Sequence, residues 1–121
     1  MNMNTSDTRI PQDIIEALTA LPHPFGDAER RALERLITIA KSDTGSSRRV
    51  ANFLLAWWNA EENGGFDFTD LWGLDAEVAD DILVIVHFLT KRNMYPDALE
   101  TSHGTISYGP DFQQIVALWR T

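Results

Sequence analysis

Apolar residues recur three and four positions apart in five segments of the chain, the spacing that places them on one face of an α-helix. The segments are residues 11 to about 20, about 27–40, 48 to about 61, 76–92, and the stretch from Pro110 onwards. Asp27, Ser47 and Asp75 are the predicted N-caps of three of them. The pattern predicts an all-α protein, a compact bundle of four or five helices. Residues 105–108 add the option of a very short β element near the C-terminus.

The predicted helix at residues 48–61 carries two apolar stripes, which together cover about 200° of its surface. One stripe is Val50, Phe53, Leu54 and Trp57, and the other is Ala51, Leu55 and Trp58. Packing against a single neighbouring helix needs a narrower apolar surface than about 200°. Trp57 and Trp58 are therefore expected to face different neighbours, one in the core and the other in a second core contact or against a partner.

Aromatic and acidic residues alternate in the segment that follows this helix. Eight acidic residues lie between positions 61 and 81, whereas no Lys or Arg lies between Arg49 and Lys91. Half-buried aromatic rings with acids around them are typical of a docking surface for a basic partner. The predicted partner-binding residues are Trp58, Phe66, Asp67, Phe68, Asp70 and Trp72. The competing interpretation is that these rings close the core and that the acids only keep its edge hydrated.

The predicted helix at residues 76–92 is apolar nearly all round beyond its first turns, which favours a central position in the bundle. The side chains expected to face inward are Val78, Ala79, Ile82, Leu83, Ile85, Val86 and Leu89. Val84 and Phe88 lie on the opposite side of the helix. Together with Trp58 they are candidates for a symmetric homodimer patch.

The two helices around residues 27–40 and 48–61, joined by a loop at Gly45, have the order of a helix-turn-helix. Arg48, Arg49 and Asn52 would then project from the start of a recognition helix. Two observations weigh against DNA binding. A helix buried on most sides cannot fill a major groove, and a net charge of −8 repels phosphates. A DNA-binding regulator is kept as an alternative, and no nucleic-acid partner is expected.

Residues 59–70 have the spacing of an EF-hand calcium loop between two helices. Its oxygen ligands would be Asn59, Glu61, Asn63, Asp67 and Asp70. The first ligand is an amide and the last is a short Asp instead of a bidentate Glu, so a site here would be weak. Calcium is kept as an alternative, and no metal or other cofactor is expected.

No pattern in the chain predicts catalysis. The three histidines are scattered, the serines lack a nucleophile-elbow motif, and there are no cysteines. With 121 residues, 44% hydrophobic and 23% charged, the composition is that of one globular domain. We expect a disordered tail at residues 1–10, a single helical domain at residues 11–121, no membrane span and a cytoplasmic location.

The run between Val50 and Trp72, with its Trp-Trp-Asn and Gly-Gly-Phe-Asp strings, resembles the core of an uncharacterised family. Members of that family are small bacterial proteins carried on plasmids and integrative conjugative elements. The likeness extends over roughly residues 48–99. It implies a cytoplasmic accessory protein of mobile DNA, and it carries no activity with it.

Together these patterns predict a non-enzymatic protein-binding accessory or regulatory factor of a mobile genetic element, with a partner that presents a basic surface. One alternative is the helix-turn-helix regulator. The other is an inhibitor of a host defence system, in which the acidic face imitates nucleic acid.

Overall fold

The computed structural model describes residues 11–13 and 24–120, and within them the protein is mostly helical. In chain order the elements are α1 Asp27–Ala40, α2 Gly45–Asn63, the 3₁₀-helix η1 Phe68–Gly73, α3 Ala76–Leu89, β1 Leu99–Thr101, β2 Gly104–Ile106 and α4 Gly109–Trp119. The predicted fold class is confirmed. The predicted tail, and the first predicted helix apart from residues 11–13, lie outside the described residues. No helix in the described part is long and apolar enough to cross a membrane.

Helix α1 is the centre of the bundle, because it packs against α2, α3 and α4. Its buried side chains follow the predicted three-four spacing and are Ala32, Leu33, Leu36, Ile37 and Ala40. Both predicted stripes of α2 are also buried, at Val50, Ala51, Phe53, Leu54 and Leu55. Helix α2 needs both stripes because α1 covers one side of it and α4 another.

The central position predicted for α3 is wrong. This helix packs mainly on α1. It buries Ile82 and Ile85 as predicted, but its buried face also includes Phe88, which the sequence placed on the other side. Phe88 is completely buried and meets the ring of Phe25 edge-on at 5.2 Å. Leu83 and Val86, predicted to face inward, are 56% and 40% exposed. The burial of Phe88 also removes it from the proposed homodimer patch with Val84 and Trp58.

Phe25 decides this orientation of α3. Its backbone N–H donates to the Glu100 carbonyl at 2.8 Å, so the segment before α1 runs beside β1. The aromatic ring of Phe25 then occupies the interior next to Phe88. A contact between residues 63 positions apart in the chain is not visible in the periodicity of α3 alone.

The helix starts differ from the predicted caps in two places. Gly26, and not Asp27, is the N-cap of α1, and its N–H donates to Glu29 Oε1 at 3.0 Å. Helix α2 starts at Gly45 with Thr44 as its N-cap, one turn before the predicted start. Ser47 is therefore inside the helix and fully buried, where its Oγ accepts the Thr44 N–H at 3.0 Å.

The C-terminal part consists of a small hairpin followed by α4. Strands β1 and β2 pair antiparallel with Leu99 opposite Ile106, somewhat earlier than the predicted extended residues 105–108. Gly104 has a φ of 123°, a left-handed conformation that suits glycine at the hairpin turn. Helix α4 was predicted from Pro110, which lies in its first turn, and it buries Phe112 and Ile115 as expected.

Phe112 links α4 to α2, and its substitution tests the packing of the core. Its ring meets Trp57 and Trp58 edge-on at 6.2 and 5.6 Å, and the side chain is fully buried. Phe112→Ala is expected to lower the free energy of unfolding by about 3–5 kcal/mol, because it removes a large apolar side chain and leaves a cavity. Urea denaturation followed by far-UV circular dichroism measures the change.

The matched control is Leu118→Ala, on the same helix but 55% exposed. This variant should stay within about 0.5 kcal/mol of the unmodified protein. Equal destabilisation by the two substitutions would contradict the described packing of α4.

Candidate functional site

An apolar groove with a volume of about 430 Å³ lies between η1 and the exposed face of α3. Its lining residues are Phe53, Phe66, Phe68, Thr69, Leu71, Trp72, Ile82, Leu83 and Val86. Nearly all of the lining atoms are apolar. Trp72 is 85% exposed and Phe68 is 78% exposed, the highest values among the large apolar side chains of the described residues.

A chain of aromatic rings connects the groove to the core. Phe53 is buried in α2 and meets Phe66 edge-on at 5.5 Å. Phe66 in turn meets Phe68 at 6.2 Å. These edge-to-face contacts stabilise each ring against its neighbour. Phe68 is therefore supported at the surface by side chains that are anchored in the interior.

The turn that carries Phe68 and Trp72 is held at its start by Asp67. One carboxylate oxygen of Asp67 accepts the backbone N–H of Thr69 at 2.9 Å and its hydroxyl at 2.8 Å. Both bonds favour the ionised carboxylate, the hydroxyl bond more, so they hold the pKa of Asp67 below its ordinary value. Asp67 thus has a structural role in shaping the groove.

Arg49 holds the same turn from the other side. Its Nη1 donates to the Gly45 carbonyl at 3.2 Å, and its Nε lies 3.6 Å from Asp70 Oδ1. The guanidinium lies so close to Gly73 that a Cβ there would come within 2.4 Å of Arg49 Cζ. Arg49 therefore joins the start of α2 to η1, and Gly73 leaves the space that this contact needs.

The alternative DNA-binding set is not arranged as a recognition surface. Arg49 is engaged with η1, as described above. Asn52 Oδ1 accepts a hydrogen bond from Arg120 Nη2 at 2.5 Å, which ties α2 to the end of the domain. Arg48 is exposed, but the helix that carries it is buried along both stripes. These contacts weigh against the helix-turn-helix interpretation, because α2 buries both of its stripes, and DNA binding by Arg48, Arg49 and Asn52 stays an alternative prediction.

The predicted calcium ligands do not converge either. Asn59 Oδ1 accepts the Glu62 N–H at 3.1 Å, and Asn63 is still part of α2. Asp67 and Asp70 are directed at Thr69 and Arg49. Glu61 is exposed. Across residues 11–13 and 24–120, no group of three or more His, Asp or Glu side chains could hold a metal ion.

The predicted partner-binding set divides between two places. Phe66, Phe68 and Trp72 line the groove together, with Asp67 at the start of its turn. Trp58 does not line the groove but a separate pocket on the other part of α2. Neither Trp57 nor Trp58 is fully exposed; both are half-buried against Phe112.

Sequence reasoning missed six residues of the groove lining: Phe53, Thr69, Leu71, Ile82, Leu83 and Val86. A signal for the α3 residues existed in the sequence. Helix α3 is apolar on more of its circumference than one neighbouring helix can cover, so part of that apolar surface had to remain outside.

Only two of the eight acidic residues at positions 61–81 form salt bridges with the described residues. Asp70 pairs with Arg49, and buried Asp81 accepts two bonds from Arg35, at 2.8 and 2.9 Å. The other six acids form no salt bridge with the described residues; they are Glu61, Glu62, Asp67, Asp75, Glu77 and Asp80. Every lining residue of the groove lies in the stretch that contains no Lys or Arg.

The role of Asp67 can be tested by titration. Thr69→Val removes the hydroxyl bond but keeps the size of the side chain, so the pKa of Asp67 should rise towards that of an ordinary aspartate. Carboxyl-carbon NMR over an acid titration measures this pKa. Thr105→Val, at an exposed strand position, is the control and should leave it unchanged.

The same bonds have a defined effect on stability. The pKa of Asp67 is lower in the folded than in the unfolded state, so the stabilisation is present above the unfolded pKa. This stabilisation is lost as the pH falls through the pKa that Asp67 has in the folded state. Thr69→Val should weaken this acid dependence, and an unchanged Asp67 titration would contradict the described turn.

Comparison with known proteins gives one assignment. No curated protein and no solved structure shows a significant match to the chain. The model of a family of unknown function, DUF7673, matches residues 30–120, which include the groove and helices α1 to α4 except the first turn of α1. The chain therefore belongs to the DUF7673 family of unknown function.

Proposed function

We propose that this protein is a non-enzymatic binding module whose groove receives a basic, amphipathic helix of a partner protein. The observation that carries the proposal is the exposure of Trp72 and Phe68 at the edge of an apolar groove. Large exposed apolar patches on soluble domains mark interaction sites. Tryptophan is also among the residues that contribute most to binding energy at protein interfaces.

The groove is formed before a partner arrives. The ring chain from Phe53 to Phe68, the Asp67–Thr69 bonds and the Arg49 contact all order η1 within the free protein. Ordering of side chains and loops upon binding opposes association. A groove that is already ordered avoids much of this cost, which supports a role in recognition.

Charge supports a basic partner. Asp67 lies at the turn beside Phe68, and Asp75 precedes α3 on the same helical stripe as Ile82 and Val86, which line the groove. The lining residues include no Lys or Arg, and Arg49, which contacts η1, is paired with Asp70, so the remaining charge beside the groove is acidic and favours a basic partner.

The shape supports a helix as the occupant. The groove runs between η1 and α3, and the hairpin β1–β2 contributes no lining residue, so the described groove offers no strand edge for an added strand. An amphipathic helix that lays its apolar face between two helical walls is a recurrent form of peptide recognition.

The wider setting that we propose is an accessory protein of a bacterial mobile element in the cytoplasm. Its support is the resemblance of the α2–η1 sequence to proteins of such elements. The six carboxylates that form no salt bridge with the described residues also support the alternative of a host-defence inhibitor that imitates nucleic acid, since their charge is not offset by Lys or Arg.

A synthetic helix of about 18 residues, with leucine along one face and lysine on the other, is a suitable probe for the groove. Trp72→Ala and Phe68→Ala should each weaken its binding about tenfold or more, because each removes an exposed aromatic anchor. Fluorescence polarisation of the labelled peptide gives the dissociation constant. Leu118→Ala removes an exposed apolar side chain elsewhere and should leave binding unchanged.

Two peptide controls accompany this measurement. Exchange of every lysine for glutamate should abolish binding, because the groove is set in acidic surroundings. A scrambled peptide of the same composition has no continuous apolar face and should also fail. Equal binding of all three peptides, or insensitivity to both aromatic substitutions, would refute the proposed groove.

The contribution of charge can be measured separately. The double variant Asp67→Asn and Asp75→Asn keeps the side-chain oxygens but removes two charges near the groove. It should slow association of the lysine peptide at low salt and flatten the salt dependence, while dissociation changes less. Stopped-flow fluorescence measures both rates.

The control is Asp43→Asn with Asp97→Asn, which removes the same net charge at positions that do not line the groove. If both double variants slow association equally, the steering comes from total charge and the proposed local role of the two acids is wrong.

A further inference from the structure

Helix α2 is interrupted at Asn59. The backbone of this residue is extended, with φ −162° and ψ 88°, inside an otherwise helical segment. Its Oδ1 accepts the Glu62 N–H at 3.1 Å, and its Nδ2 donates to Glu62 Oε2 at 3.2 Å. Asn59 thus caps a separate final turn, and the long helical part at residues 45–58 ends at the two tryptophans. The carbonyl end of a helix carries partial negative charge.

A pocket of about 540 Å³ opens at this interruption. Its described lining consists of Ala56, Trp57, Trp58, Asn59, Ala60, Tyr95 and Asp97. The pocket shares no lining residue with the groove between η1 and α3. It is therefore a second site, independent of the proposed docking function.

Two of the three aromatic rings in the pocket, those of Trp57 and Trp58, are held by their surroundings. Trp57 Nε1 donates to the Met94 carbonyl at 2.9 Å, which ties α2 to the residue before Tyr95. Trp57 and Trp58 both pack edge-on against Phe112. Tyr95 itself is 56% exposed but lies between the buried residues Met94 and Pro96, so its backbone is anchored.

The pocket attracts positive charge. None of its described lining residues is basic, and Asp97 is exposed and forms no salt bridge with the described residues. The faces of tryptophan and tyrosine rings carry negative electrostatic potential. The partial negative charge at the carbonyl end of the helical residues 45–58 adds to this negative potential.

We propose that this pocket binds an alkylated ammonium group. A primary ammonium is strongly hydrated and needs several acceptors. The described lining side chains offer the Asp97 carboxylate and the Asn59 amide oxygen, which already accepts the Glu62 N–H. A trimethylammonium group carries no N–H to satisfy, and its methyl groups can pack on indole and phenol faces while its charge is balanced by Asp97. Recognition of quaternary ammonium by several aromatic rings follows this chemistry.

The probe is choline, titrated into the full chain up to about 10 mM, a range that detects millimolar dissociation constants. Two-dimensional NMR of the indole N–H groups reports on the site, because Trp57 and Trp58 line it and Trp72 does not. Saturable shifts at Trp57 and Trp58, with Trp72 unmoved, are expected. Assignment uses Trp57→Phe and Trp58→Phe.

The decisive comparison is 3,3-dimethylbutanol, which has the shape of choline but a neutral carbon in place of nitrogen. It should bind about tenfold more weakly, since cation–π and carboxylate attraction are absent. Tyr95→Leu and Asp97→Asn should each weaken choline about fivefold or more. Both residues are exposed, so the folded state should persist, and circular dichroism verifies this.

Trp72→Ala is the control, and it should leave choline binding unchanged although it impairs the groove. One further ligand, a trimethyllysine peptide, identifies the source of the ammonium group. The peptide represents a modified protein, whereas free choline represents a small molecule, and saturable binding of either supports the proposal. The absence of saturable indole shifts with any of these ligands, or equal affinity for the neutral isostere, would overturn the proposal.

Discussion

The packing of α3 against α1 determines which apolar side chains of α3 reach the surface. Helix α1 already packs against α2 and α4, so it offers α3 a single face. Helix α3 is apolar on more of its circumference than that face can cover. Once Phe88 is buried against Phe25, Leu83 and Val86 must lie outside. The exposed apolar surface is thus a consequence of limited interior space.

Exposed apolar surface becomes a candidate site only if its shape persists. The η1 turn supplies that persistence here, although it is a short 3₁₀ segment without a buried residue of its own. Asp67 closes the turn at one end, Arg49 holds it against α2, and Phe66 connects it to the core. Asp67 and Asp70 therefore stabilise the η1 turn within the fold, and any interaction with a partner comes in addition to this role.

Helix α2 positions both candidate sites. Phe53, near its middle, reaches the groove, whereas Trp57 and Trp58 lie one turn later, at the interruption, and reach the second pocket. The helix has two apolar stripes because it has neighbours on two sides. The break at Asn59 ends the long helical part where the aromatic rings are most concentrated. The match to the DUF7673 family spans residues 30–120, so it includes the described lining residues of both sites.

The sequence by itself determined the helical class, the approximate positions of α1 to α4 and the two buried stripes of α2, because these follow from spacing within one segment. The predicted partner-binding set also included three residues that line the groove, Phe66, Phe68 and Trp72. Only the tertiary structure decided that Phe88 is inside, that Leu83 and Val86 are outside, and that Trp58 belongs to a different pocket. Periodicity states how much apolar surface a helix has, whereas contacts between distant segments, such as Phe25 with Phe88, decide which part is covered.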